Sequence, residues 1–370
     1  MKTMKTTKLI IVGGFLGAGK TTLLWETAQK LIQQGLSVGL ITNDQAPELV
    51  DSKLLSLNNL QVAEVSGSCF CCNFNGFTDA IQKIRAEVAA DVIIAEPVGS
   101  CADLSATIMQ PLKQYWNRDL QLAPLSVLAD PARLHSILAG ENAELHPDAA
   151  YIYRKQLEES DIILINKADS LNDEQMNELK QQASKTYTSA TILAVSAKEG
   201  AGIDEWLSQV TSGRNAGKRL VEMDYDIYAN GEAVLGWLNG TVNLQGEATD
   251  WDDFTGLLMK RLAIRFDKDN LSVGHVKVIT ENGNHFIVGN LTGKAETLNL
   301  RGSAGKGDNS KLIINARVET SPENLDGIVR ETLDDLCADL LAPEVIAWRY
   351  LQPGRPQPTH RFTQVVSIPT

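Results

Sequence analysis

Residues 14–21 read Gly-Phe-Leu-Gly-Ala-Gly-Lys-Thr, behind the apolar run Leu9–Val12 and at the head of a helical pattern over Lys20–Gln34. A strand that turns this tightly on glycines and re-emerges as a helix leaves few folds open. Glycines let backbone N–H groups crowd inward around an anion, and the helix N-terminus adds partial positive charge at the same spot. The spacing is that of G-x-x-x-x-G-K-[ST], whose lysine reaches nucleotide β- and γ-phosphates and whose hydroxyl ligands Mg²⁺. On this reading Gly14, Gly17, Ala18, Gly19, Lys20, Thr21 and Thr22 hold a nucleotide, Lys20 is catalytic and Thr21 is an Mg²⁺ ligand.

The first half of the chain supplies the scaffold such a loop needs. Nearly all-apolar runs at 38–42, 62–65, 92–95, 125–128, 162–165 and 192–195 alternate with amphipathic stretches at 77–89, 103–115, 173–185 and 203–210. That alternation predicts an α/β fold of P-loop NTPase type, a mostly parallel sheet with helices on both faces. Polar Thr211–Lys218 interrupts the pattern. Beyond it come a strand-like run at 241–244, a helix at 252–264, strands at 274–280, 285–291 and 311–318, and a helix at 322–341 capped by Ser321. This predicts a smaller α+β C-terminal domain. The expected layout is a nucleotide domain over 1–212, a linker at 213–224, the α+β domain over 225–348 and an extended tail at 349–370. Glycine-rich Arg301–Ser310 reads as a mobile loop.

Composition narrows the partners. The 370 residues are 43% hydrophobic, enough for a buried core. Lys+Arg 34 against Asp+Glu 46 gives a net charge of −12, the wrong sign for a non-specific nucleic-acid or membrane-surface binder. No apolar run nears the roughly 20 residues of a bilayer span, and Leu9–Val12 is too short for a signal-peptide core. A cytoplasmic protein is expected, with neither nucleic acid nor membrane as partner. Five cysteines, an odd number, with Cys69, Cys71 and Cys72 crowded together, argue against a disulfide scaffold. In a reducing compartment they point to metal binding or redox chemistry.

Two clusters bear on which nucleotide is bound. Ile163–Ile165 runs into Asn166-Lys167-Ala168-Asp169, an N-K-x-D at a strand end. The Asp169 carboxylate can accept from both the N1–H and the exocyclic amine of guanine, whereas adenine would leave it unpaired. Ser196-Ala197-Lys198 follows the next strand and is similar to the second guanine-contacting loop of GTPases, so GTP and GDP are the expected nucleotides. Val92–Ala95 ends in Glu96-Pro97-Val98-Gly99. Glu96 can hold Mg²⁺, directly or through its waters, and Gly99 lets the backbone approach a γ-phosphate. Hydrolysis also needs a group that orients water. Asp44 and Asp51 offer carboxylates, and their spacing does not choose between them.

Adjacent Cys71 and Cys72 diverge in regular structure, but a loop can turn all three thiols toward one ion. Zn²⁺ takes four ligands tetrahedrally, about 2.3 Å from sulfur. Three thiolates leave a position for water, for a carboxylate such as Glu48, or for a client's ligand, and Cys101 is a further thiol. An incomplete shell suits transfer better than storage. Buried small hydrophobes or a redox pair are the other readings. Cys337, among Leu333, Leu336 and Leu340, reads as core.

Together GGFLGAGKTT, the C-x-C-C run, Glu96 with Gly99, and N-K-A-D resemble the CobW-like P-loop GTPases, a metallochaperone family. The motif-level match covers about residues 8–210, and the second domain matches in position and α+β pattern. The resemblance implies GTP hydrolysis with Mg²⁺ and a zinc or cobalt ion on Cys69, Cys71 and Cys72. It also implies a client metalloprotein, guanine reading by Asn166, Lys167 and Asp169, and a switch segment from Asn43 to Asp51, with Asp51 tied to hydrolysis and so catalytic with Lys20 and Glu96. Many members carry a histidine-rich stretch. Here the histidines are scattered at 135, 146, 275, 285 and 360. The other function class is a GTP-gated assembly switch for a partner such as a corrinoid enzyme, carrying no metal. The second domain and tail are the expected client surface, and a homodimer stays open.

Overall fold

Thr7–Gly14 forms strand β1, apolar from Leu9 to Val12 and buried there on both faces, so it needs a strand on either side and cover above and below. In the computed structural model, which describes residues 6–44, 61–66, 69–212, 216–293, 298–338 and 340–367, it has both. The chain divides into two units, one running up to Tyr228 and resuming at Pro356, the other Ala229–Arg355.

In the first unit β1 pairs in parallel with β4 (Val92–Glu96) on one side and with β5 (Leu120–Leu122) and β6 (Ser126–Ala129) on the other. With β2 (Val38–Asp44), β3 (Gln61–Ser66), β7 (Ile162–Ile165) and β8 (Thr191–Ala194), the order is β3-β2-β4-β1-β6-β7-β8, and β5 lies beside β1. Every pairing among these strands is parallel. Parallel neighbours require crossovers. These include α1 (Lys20–Gln33), α2 (Phe74–Val88), α3 (Gln110–Tyr115), α4 (Pro131–Leu138), α5 (Pro147–Glu159) and α6 (Asp173–Thr186), and α7 (Ile203–Thr211) follows the last strand of the sheet. The expected α/β architecture is what forms, and it sends the predicted motifs to the carboxyl ends of the strands, where such sheets bind ligands.

Some local expectations need correction. The helix expected over 103–115 opens as a π-turn, Ser105–Met109, before α3. Pro111 has no N–H for a regular α-turn, so the ladder shifts by one residue. Helices α4 and α5 escaped the periodicity reading, although Asp130-Pro131 and His146-Pro147 each place a cap before a proline. Within the stretch expected as a linker, Gly217 is pinned to the first unit. Its N–H donates to Asp161 Oδ2 at 2.6 Å, and its carbonyl accepts from Gln110 and Lys113.

The second unit is a six-stranded antiparallel sheet with order β12-β11-β10-β13-β9-β14. Helix α8 (Tyr225–Ala233) leads into β9 (Leu235–Asp250), which is longer than the run expected at 241–244. After α9 (Trp251–Lys268) come β10 (Val273–Asn282), β11 (His285–Leu291), β12 (Asn299–Ser303) and β13 (Lys306–Glu319). Trp251, Leu258, Leu262 and Phe266 from α9 pack with Leu325, Val329 and Cys337 from α10 (Pro322–Cys337) in the core of this unit. The stretch expected to be a mobile loop at 301–310 is the end of β12, a tight turn and the start of β13, two strands that are not neighbours in the sheet. Asp252 at the start of α9 accepts from Ser303 Oγ, Ala304 N and Gly305 N and so pins its turn. Helix α10 stops at Cys337, short of Leu341, because Ala338 turns to φ 40°. The chain then forms an edge strand, β14 (Leu341–Leu351), whose Pro343 is tolerated at an edge.

Candidate functional site

The phosphate loop leaves β1 and enters α1 through Gly19, whose φ of 92° is left-handed and which has no side chain to cap the first-turn N–H groups. A Cβ on Gly19 would also run into the Asn166 amide. Lys20 Nζ donates to Gly14 O at 2.8 Å and stands 3.9 Å from Glu96 Oε1. Thr21 Oγ1 lies 3.4 Å from Glu96 Oε2, and all three side chains are buried. A hydroxyl and a carboxylate facing each other beside an ammonium group fit a hard cation shared with phosphates. Gly17 and Ala18 lie in the loop and Thr22 is half-buried in the first turn. A Cβ on Gly99 would stand 2.6 Å from Leu16 Cδ2 and 3.2 Å from Leu16 N, so the segment after β4 rests on the phosphate loop.

The N-K-A-D turn meets the same loop. Asn166 Nδ2 donates to Ala18 O at 2.8 Å, and Asn166 Oδ1 accepts from Ala197 N at 3.0 Å. One buried amide therefore ties the phosphate loop to the Ser196-Ala197-Lys198 turn. Asp169 Oδ1 accepts from Ser196 Oγ at 2.5 Å. Lys167 holds φ 56°, and its Nζ pairs with Asp130 at 2.8 Å. Lys198 is exposed at the rim.

The thiols meet as a loop could arrange. Cys72 N and Asn73 N both donate to Cys69 O, which curls 69–73 into a turn. Phe70 points the other way and stacks on Phe77 with ring centroids 4.2 Å apart. The sulfurs are left 3.0 Å (Cys69–Cys71), 3.1 Å (Cys69–Cys72) and 3.7 Å (Cys71–Cys72) apart. A tetrahedral zinc–thiolate shell needs edges of about 3.8 Å, so one edge fits and two open by less than an ångström. The donors Cys101, Cys71 and Cys72 hold the Cys69 thiol well below its usual range. With that charge in place Cys71 is pushed well up, and Cys72 rises to about 11, both chiefly through Cys69. Asn43 at the end of β2 joins this loop to the sheet: its Nδ2 donates to Val65 O at 2.6 Å and its Oδ1 accepts from Phe70 N at 2.9 Å. Glu48 and Asp51 lie outside the described residues, and of Asp44 only the backbone is described.

The profile of the "CobW/HypB/UreG, nucleotide-binding domain" family matches residues 8–194, just over half of the chain. The chain belongs to the CobW/HypB/UreG family. Among curated relatives, the zinc-regulated GTPase metalloprotein activator 1 of Dictyostelium discoideum is 25% identical over 202 residues, 46% of this chain and 42% of its own. The zinc chaperone YeiR of Escherichia coli K12 is 26% identical over 180 residues, 47% of this chain and 51% of its own. The chain thus spans about half the length of the curated relatives it matches. A crystal structure of Zn(II)-bound YjiA GTPase from E. coli covers 90% of this chain and 99% of its own at 15% identity, with a TM-score of 0.38.

Several residues of this CobW/HypB/UreG chain escaped sequence reasoning. Asp130 caps α4 and orients Lys167. Burial opposes its ionisation, yet the Lys167 ammonium and the N–H of Arg133 hold its carboxyl below the usual range. Arg133 Nη1 donates to Leu16 O at 2.6 Å, bracing the phosphate loop. Gln156, buried on α5, clamps Gly99 O and Cys101 O. The cap-plus-proline signal locates Asp130 in retrospect; Gln156 has no local signal.

Proposed function

We propose that this chain is a GTP-dependent metallochaperone: it binds and hydrolyses GTP, holds zinc or cobalt on Cys69, Cys71 and Cys72, and passes the ion to a client metalloprotein. The observation that carries the reading is the Asn43 bridge, which joins the end of β2 to the N–H between the first two thiols. In this reading the segment beginning at Asn43 responds to the γ-phosphate, as nucleotide switches do. Thr21 and Glu96 would hold Mg²⁺, which would neutralise the phosphate charge. Lys20 leaves the Gly14 carbonyl for the β/γ-phosphates, Asp169 reads the guanine edge, and Asp51 orients the attacking water. Attack on the γ-phosphorus releases GDP and phosphate.

The metal is substrate here. Buried, soft sulfur donors suit Zn²⁺, and Co²⁺ fits the same set. Linkage makes the coupling reciprocal: if GTP tightens metal binding, the metal tightens GTP by the same factor. The test is zinc affinity with a non-hydrolysable GTP analogue against GDP. A difference of tenfold or more is expected, and equal affinities discard the chaperone reading.

A further inference from the structure

Pro356 and Pro358 hold the start of the tail extended, so it lies down at little cost in chain entropy. Gln357 N–H reaches Cys72 Sγ, and Thr359 donates from N to Cys71 O and from Oγ1 to Cys72 O. In an extended chain alternate residues share a side. His360 and Phe362 accordingly both meet Tyr115 of α3, with ring centroids 5.7 Å and 6.4 Å away, and His360 also meets Phe74 edge-on at 5.0 Å. Arg361, between them, serves other partners. It donates from Nε to Asp103 and from Nη2 to Val221 O at 3.2 Å, and its guanidinium stands 5.8 Å from the centre of the Tyr225 ring. Of the three thiols under this segment, Cys69 and Cys71 are buried, at 4% and 2% exposure, and Cys72 is half-buried. The tail crosses at the thiol nearest to solvent.

We infer that the tail is a removable closure over the thiol site, latched by Arg361 on Asp103, and that a metal ion enters and leaves while residues 357–362 are lifted. This rests on the metal-carrying reading above and adds the regulation of that site. Two properties make the cover removable. It joins no strand ladder, and Thr359, Arg361, Thr363, Gln364 and Val365 are exposed. Segments with so few buried contacts open locally far more often than the sheet beneath them unfolds. The hold is also concentrated at one buried carboxylate, and Asp103 keeps a left-handed φ of 63° in making it, a conformation that aspartate tolerates but seldom adopts. No bond from the tail to the ion is needed. The same lifting step precedes entry and exit, so a closure that favours neither the loaded nor the empty site slows both and leaves the affinity where the thiols set it.

The test uses the full chain and follows, by stopped flow, uptake of free Zn²⁺ and its release to an excess of chelator. Arg361→Ala is expected to speed both by at least about tenfold while the zinc affinity changes by less than about threefold. Where that variant does not fold, Phe362→Ala, which removes a contact to Tyr115 without touching the buried carboxylate, is judged by the same shared acceleration of uptake and release. Wild-type rates in the folded variant overturn the inference. So does faster release with unchanged uptake, because the tail would then be part of the site's affinity and not its cover. If the unaltered chain takes up no zinc, or retains it equally after Cys69, Cys71 and Cys72 are all changed to serine, the metallochaperone reading itself falls.

Discussion

The backbone N–H of Gln357 donates to Sγ of Cys72 at 3.2 Å, and the two residues are 285 positions apart in the chain. Around this contact Thr359 N donates to Cys71 O at 2.8 Å, and Phe362 N takes Ala106 O, a carbonyl of the π-turn, at 3.1 Å. The tail therefore lies on the thiol loop as a strap. Ending the chain at Arg355 removes it. Two effects then oppose each other at Cys72: losing the N–H donor disfavours the thiolate, while losing cover favours it. Burial outranks the Gln357 hydrogen bond among the causes of the raised Cys72 thiol, so access wins. Alkylation of Cys72, followed by peptide mass mapping, is expected to quicken severalfold. An unchanged rate contradicts the strap.

Arg361 anchors that strap through Nε to Asp103 Oδ2 at 2.6 Å, and Tyr225 OH donates to the same oxygen at 2.8 Å. Asp103 is fully buried, and burial raises its carboxyl pKa despite both partners. Arg361→Ala strands a buried carboxylate. Because the guanidinium is about a third exposed, the expected loss is about 2–3 kcal/mol, below the 3–5 of a fully buried pair. Urea unfolding measures it, and a loss under half a kcal/mol would show that the pair is not an anchor.

Gly99→Ala places a methyl group 2.6 Å from Leu16 Cδ2 and 3.2 Å from Leu16 N. The side-chain clash can be relieved by a rotamer change, but the backbone contact cannot. Overpacking of this kind costs about 1–3 kcal/mol, and here it falls on the phosphate loop. Affinity for a fluorescent GTP analogue is expected to drop by about tenfold, the equivalent of about 1.4 kcal/mol. Wild-type affinity in the folded variant means that the span after β4 does not bear on the loop.

Glu159 Oε2 accepts from Ser105 N at 2.8 Å, and its buried Oε1 has no hydrogen-bond partner. Burial nevertheless raises its pKa to about 8, with the Asp103 charge adding to the shift. Between the ordinary carboxylate range and about 8, the folded chain holds a proton that the unfolded chain has released, so stability falls as pH rises through this window. Glu159→Gln keeps an acceptor for Ser105 N and removes the titration. The stability of the variant relative to wild type should therefore improve from pH 5 to pH 8.5. A difference that stays constant with pH refutes the raised pKa.

The thiol cluster predicts a steep pH dependence of metal affinity. Cys69 is the group poised to ionise, whereas Cys71 and Cys72, the latter near 11, keep their protons at neutral pH. A metal must displace those protons, so affinity rises with pH by about two decades per unit below the thiol range. Competition titrations against a chelator between pH 6 and 8 measure the slope, and a pH-independent affinity would place the ion elsewhere.

Local chemistry made much of this protein readable. A phosphate loop is a contiguous device, since its glycines, lysine and threonine act through one turn, and the same holds for N-K-A-D and C-x-C-C. Strands buried on both faces announce themselves as all-apolar runs, so the parallel sheet was legible as well. The antiparallel second unit was read less well. Its edge strand β14 is mostly exposed and carries little apolar alternation, and the turn between β12 and β13 depends on Asp252, a residue on another element.

The sequence by itself determined that a nucleotide pocket and a sulfur cluster would share one edge of a parallel sheet, because each is written in neighbouring residues behind a strand. Only the tertiary structure decided that Gln156 would clamp the Gly99 and Cys101 carbonyls, and that Gln357 and Arg361 would bind the tail across the thiol loop. Those contacts join residues far apart in the chain, and their energy comes from burying and satisfying polar groups at places that exist only once the sheet has formed.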